Sequence, residues 1–442
     1  MYQNLWLCMG MLFLACQKES APKADLIPWQ SSSPIIKVLG GSANESIRAV
    51  VATTDGGFAA LGHTQSQDGP LTNKNNGGFD MWLLQFDDKG NLLWHKTYGG
   101  SGNDRGVDLV TTPAGNLVLV GFMEGKTPDA TEAAPSQNLW VVQVDANGTV
   151  QWEKIFGYAG SDYATQVIAD GEGNLIIAGV LNVTASQGLG NQIQKHAGGD
   201  YWVLKLNAQG ELIWRNYFGG LQADTPYALT TTNDGGYLVA GTTDSADTDI
   251  SQNRGGYDCW VVKIDHQGQL EWEASFGGSQ IDTAYAIAPT QNGYYRIVGD
   301  SRSTDQQVTQ NKGAADMWLF DISPAGEMVH EKCFGGSHFD VGRSLYPLSN
   351  GYWLVSGSSR SADGDLLKNQ GQNDAWTMVL DPTATEILWQ QTLGGGEVDF
   401  AYDAIQLSDG SLVTVGDTQS QSGDIPTNAG FTDALIVLNP IP

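Results

Sequence analysis

The sequence predicts an all-β protein, a seven-bladed β-propeller of four-stranded antiparallel blades, closed by pairing an N-terminal strand with the C-terminal blade. Three observations predict it. A glycine turn recurs seven times, starting at Gly40, Gly99, Gly157, Gly219, Gly277, Gly335 and Gly394, roughly 58 residues apart. An acid stands five residues after each start, at Glu45, Asp104, Asp162, Asp224, Asp282, Asp340 and Asp399. Seventeen residues after each acid there is again a glycine, at Gly62, Gly121, Gly179, Gly241, Gly299, Gly357 and Gly416, with no slippage in any copy.

Each copy divides into four short strands by hydrophobic periodicity. In the second copy they read "RGVDLVTT", "NLVLVGF", "LWVVQVD" and "VQWEKIFG". Asn-Gly and Asp-Gly pairs separate them, for instance at 55–56, 147–148 and 292–293, and supply the backbone that tight hairpins need. Tryptophan marks the third strand (Trp82, Trp140, Trp202, Trp260, Trp318, Trp376) and the fourth (Trp94, Trp152, Trp214, Trp272, Trp389). A ring of wedge-shaped sheets needs bulk between its blades, so these indoles are expected in the inter-blade core.

Ring closure follows from the ends. The seventh copy stops at "TDALIVLNP", after its third strand. The folded part begins with an orphan fourth strand, "PIIKVLGG" at 34–41, with Ile35 where most copies have tryptophan. Pairing the two removes the exposed sheet edges of an open ring.

The folded part is therefore placed at 34–442. Before it, residues 5–15 are apolar and too short to anchor stably across a bilayer, which fits the core of a signal peptide over 1–15. Residues 16–33 are polar and Pro-containing and read as a tether. "LFLAC" resembles the lipobox of bacterial lipoproteins, with Phe13 where Leu is usual, and this resemblance implies cleavage and lipidation at Cys16. "QKES", just after it, resembles the export tag of surface lipoproteins in Gram-negative bacteria. Cys259 and Cys333 are then the only cysteines of the ring, too few for a disulfide framework, and are expected as buried thiols.

The repeat text, from "YGGSGND" (98–104) through "FGGSQID" (276–282) and "FGGSHFD" (334–340) with "DGG" at 55–57 and 234–236, is similar to that of bacterial β-propeller repeat proteins. That family is common among secreted and lipid-anchored proteins of Gram-negative bacteria. The resemblance implies an outer-membrane or cell-surface location, and shape rather than a particular chemistry.

A net charge of −27 and a pI near 4.3 exclude a nucleic-acid partner. Three readings apply to the seven acids: carboxylates that hold the turn amides, a negative channel mouth, or weak metal ligands for Ca2+ together with the acidic loops 245–250 and 361–366. Length and text vary chiefly in the loops from the second to the third strand. Those of the second and third copies, 122–138 and 180–199, share little with the others. They are the expected ligand-binding loops, with Thr127, Asp129, Asn182, Gln192, Lys195 and His196 as candidate contacts. The six histidines are scattered, no catalytic motif is present, and nothing singles out a nucleophile. The sequence thus reads as a monomeric, lipid-anchored, non-catalytic binding or assembly platform for a protein or polysaccharide, with no cofactor unless Ca2+ binds. The rival readings are a surface enzyme acting on glycan or protein at the blade two–three loops, and a structural spacer in an envelope complex.

Overall fold

The structure, a computed structural model, describes residues 33–69, 77–125, 137–158, 160–182 and 199–441. The expected signal peptide, Cys16 and most of the expected tether lie outside the described residues, as do Thr127, Asp129, Gln192, Lys195 and His196. Among the described residues there is no helix, and the strands, numbered β1 to β28 in chain order, form seven four-stranded sheets.

Blade one shows the pattern. β2 (Glu45–Ala52), β3 (Phe58–Thr64), β4 (Asp80–Phe86) and β5 (Leu92–Tyr98) form an antiparallel meander from the ring's centre outward. β3 and β4 are buried along their whole length, whereas β5 is mostly half-buried. The inner strands of the other blades are β6 (Arg105–Thr111), β10 (Tyr163–Ala169), β14 (Asp224–Thr231), β18 (Asp282–Pro289), β22 (Asp340–Pro347) and β26 (Asp399–Gln406). Each inner strand touches the next, and β26 returns to β2, so they enclose a central channel.

The last sheet closes the ring. β26 pairs with β27 (Leu412–Thr418), β27 with β28 (Asp433–Asn439), and β28 with β1 (Ile35–Leu39), in a register running from Ile35 opposite Leu438 to Leu39 opposite Ala434. The outermost strand of the C-terminal blade is therefore the first strand among the described residues, as the sequence predicts.

The core lies between blades. Each third-strand indole is at most 3 % exposed and packs among residues of the preceding blade. Trp82 meets Val413 and Ile436 of blade seven, and Trp260 meets Tyr201 and Ile176 of blade three. Both ring cysteines are free thiols and buried.

Candidate functional site

The seven repeated acids stand at the starts of the inner strands, on one face of the disc, and are at most 1 % exposed. Each accepts an amide N–H from its own turn. The donors are Gly41, Gly100, Tyr158, Gly220, Gly278, Gly336 and Gly395, at 2.6 to 2.9 Å. In four blades two hydroxyls at the end of the second strand complete the clamp, as Ser301 and Ser303 do on Asp282, and Ser359 and Ser361 on Asp340. In blade one Glu45 accepts the Thr64 hydroxyl at 2.8 Å and the Ser66 backbone N–H at 3.1 Å. The loop acids act in the same way on the outer side of the turn. Asp68 accepts from Ser42 N–H, Asp247 from Leu221, Asp305 from Ser279 and Asp363 from Ser337, at 2.8 to 3.0 Å. The acids are thus turn clamps. Among the described residues no group of three or more His, Cys, Asp or Glu is placed to hold a metal ion.

A second ring of acids is set beside the first. Asp80, Asp200, Asp258, Asp316, Asp374 and Asp433 open the third strands, with Asn138 in blade two, and all are buried. The turn glycine is caught between the two rings: a Cβ on Gly335 would meet Asp340 Oδ2 at 2.7 Å and Asp316 Oδ1 at 2.8 Å. That close approach explains why the position is glycine in every copy. Burial, with the facing acid adding to it, pushes Asp258 up to about 7 and Asp316 and Asp374 up to about 6. Burial alone pushes Asp162 up to about 6.

Blades two and three depart from this plan. They lack the two hydroxyls, and their acids instead accept backbone N–H groups, Asp104 from Glu124 at 3.0 Å and Asp162 from Asn182 at 2.8 Å. The middle hairpins of these blades also run one pair further up the face, to Glu124 opposite Gln137 and Asn182 opposite Gly199. Asn182 is thereby fixed at a strand end. A cleft of about 520 Å3 opens beside the blade-two hairpin, lined by Tyr98, Gly100, Met123, Glu124, Trp140 and Glu153.

The channel breaks the symmetry of the repeat as well. Every inner strand carries a β-bulge three residues after its acid, visible as a register shift in all seven pairings of first and second strands. The bulged residues are Arg48, Val107, Thr165, Tyr227, Tyr285, Arg343 and Tyr402, all partly exposed. They are turned out of the ladder about 10 Å below the acid ring, taking roughly 3.3 Å per residue. Arg48 sits over the Tyr402 ring with 3.9 Å from guanidinium carbon to centroid, and Arg343 sits over Tyr285 at the same distance. Each pair has its own acid from the adjoining second strand. Asp417 accepts Ser46 Oγ–H at 2.7 Å and faces Arg48 and Tyr402, and Asp300 faces Arg343 and Tyr285. Burial pushes Asp300 up to about 6 and raises Asp417. The same Arg–Tyr–Asp set is therefore built twice, across the blade five–six and blade seven–one boundaries. Tyr227 extends the cluster, 5.0 Å from Tyr285 between ring centroids.

Lower in the channel, side chains one residue past the bulge reach to the next blade. Asp403 accepts Val50 N–H at 2.9 Å, Asp108 accepts Val167 N–H at 2.8 Å, and Gln166 accepts Leu229 N–H. These bonds staple neighbouring inner strands. Burial pushes Asp108 up to about 8 and Asp403 up to about 7.

The channel cluster is the group that reading the sequence by motif and loop length passes over. Its signal is the column three residues after each acid, where a repeat otherwise regular holds Arg, Val, Thr, Tyr, Tyr, Arg and Tyr.

No family model matches the chain, and no curated protein does. Among solved structures it is similar to a protein of unknown function from Bacteroides caccae (13 % identity, 79 % of this chain and 94 % of that one, TM-score 0.42). It is also similar to the Pan2 WD40 domain of Neurospora crassa (10 %, 91 % and 97 %, 0.45) and to Sqt1 from Chaetomium thermophilum (11 %, 91 % and 99 %, 0.46). The assignment as a seven-bladed propeller rests on the strand order of this chain itself.

Proposed function

We propose that the protein is a non-catalytic binding platform on the cell surface of a Gram-negative bacterium, anchored by lipid on Cys16 and recognising a protein or polysaccharide. The observation that carries this reading is the contrast between the seven regular clamps and the symmetry-broken face they support. Blades two and three alone have no hydroxyl at the positions that clamp the acid and lift their hairpins one pair higher. A fixed ring with variation concentrated on one face suits recognition, because affinity is adjusted in loops without disturbing the core. The test is a swap of residues 122–138 and 180–199 for the blade-four loop, scored as partner capture from intact cells against the same swap in blade five. Loss confined to blades two and three supports the reading, and equal loss or none from either overturns it. Labelled palmitate should enter the wild type and not Cys16→Ala, and a wild type that takes up no label removes the anchor.

A further inference from the structure

Blades six and one carry Arg343 and Arg48 on the inner strands that flank β26 of blade seven, Arg48 lying over Tyr402 of that blade and Arg343 over Tyr285 of blade five. We propose that this channel mouth binds a small organic ligand through its carboxylate, held between Arg48 and Arg343. The inference rests on the binding-platform reading and gives it a ligand class.

Four features favour it. Neither guanidinium makes an ion pair with a described carboxylate, in a protein where acids outnumber Lys and Arg by 49 to 22. Contact with a tyrosine face holds each guanidinium by one side and leaves its N–H groups for a ligand, and the planar fork of arginine matches a carboxylate. Both arginines stand on bulged residues, which frees them from the sheet and points them into the channel. Finally, Asp300 and Asp417 offset much of the positive charge, so the mouth suits a single negative charge better than the two of phosphate.

The groups facing the site from the surrounding elements are Asp300, Asp417, His63, Arg105, Arg302, Tyr227, Tyr285 and Tyr402. Of these, Asp300, pushed up to about 6 by burial, takes up a proton as the solution becomes mildly acidic. A carboxylate ligand with an ordinary pKa stays ionised there, so its affinity rises between about pH 7.5 and about pH 5.5.

The experiment is calorimetric titration of the purified full chain with D-galacturonate, with galactose as its neutral counterpart and inorganic phosphate as the dianion. Galacturonate is expected to bind, galactose not, and phosphate more weakly than galacturonate. Arg48→Gln and Arg343→Gln should each weaken galacturonate about ten-fold or more, the loss of a charge-assisted pair, while Arg215→Gln, exposed on the outermost strand of blade three (Leu212–Phe218), leaves it unchanged. Arg48→Lys and Arg343→Lys keep the charge and most of the packing. They should fold even where the Gln variants do not, and bind with an intermediate loss. Absence of galacturonate binding, equal binding by the arginine variants, or tighter binding of phosphate would each overturn the inference. Partner capture from cells is scored separately: capture that survives all arginine variants while galacturonate fails removes the carboxylate site and leaves the platform standing.

Discussion

The indole of Trp152, on the outer strand of blade two, lies directly under Gly210 in the last hairpin of blade three. A Cβ at Gly210 would meet the ring at 2.8 Å, and the residue has φ +76°. Gly148 over Trp94, Gly268 over Trp214 and Gly326 over Trp272 repeat the contact, each at 2.8 to 2.9 Å. Blade five breaks the series by placing His330 where the tryptophan would be. The next hairpin then carries Ala384, buried at φ +54°, with the guanidinium of Arg296 donating to Pro382 O at 3.2 Å and Thr383 O at 3.3 Å.

That exception makes the glycine testable. Gly210→Ala should destabilise by about 2–4 kcal/mol, combining a left-handed alanine with an overpacked indole. Gly235→Ala shares the left-handed backbone at φ +85° but meets nothing within 4 Å, and should cost only about 1–2 kcal/mol. Urea unfolding of the two variants measures the difference, and equal losses would mean that the indole contact carries no weight.

Asp282→Ala tests the clamp. It leaves Gly278 N–H, Ser301 and Ser303 facing a buried void, and should lower stability by about 2–4 kcal/mol by urea unfolding. Since the acids are occupied by protein donors, adding Ca2+ or a chelator to the wild type should leave its melting temperature unmoved. A rise with Ca2+ would show that the clamp yields to the metal.

The fold was legible because its determinants are local and repeat. The turn at Gly277, the acid at Asp282 and the glycine at Gly299 recur at fixed spacing, and the orphan strand 35–39 has one available partner. Asp316 and its equivalents were visible in the text before each third-strand tryptophan, yet their pairing with the turn acids depends on two turns meeting in space. The Arg48–Tyr402 contact was less accessible still. It joins residues at opposite ends of the chain, and only closure of the ring brings them together.

Acidity should stabilise this protein over a range where many proteins begin to weaken. Asp258 and Asp403 titrate near 7, and Asp162, Asp300, Asp316 and Asp374 near 6, all raised first by burial. A carboxyl with a folded pKa above its unfolded value binds protons more readily when folded, so stability rises as pH falls through that folded value and levels off near the unfolded one. Melting temperature should therefore climb from about pH 8 to about pH 5. Below about pH 4 the depressed carboxyls reverse the trend, Asp234 among them, at about 2 with Thr232, Gly236 and Lys263 as its partners. Thermal melts across this range check the sign, and a maximum at pH 7 or above would show that the buried acids are solvated.

Removing residues 34–39 tests the closure and spares the turn that Glu45 clamps. β28 would lose its partner along Ala434–Leu438 and expose its backbone edge. Ile36 and Val38 would also leave the cluster of Ala375, Leu393, Ala401, Leu435 and Val437, uncovering apolar surface between blades six and seven. An unpaired strand over exposed hydrophobic residues is a template for another chain. The trimmed protein should melt lower than the parent and associate in proportion to its concentration, seen by light scattering. A synthetic "PIIKVL" peptide added in excess should refill the edge and return the monomer, because the backbone pairing of the missing strand is with β28. A trimmed chain that stays monomeric and melts like the parent would mean that β1 is dispensable and the ring is held by the inner strands alone.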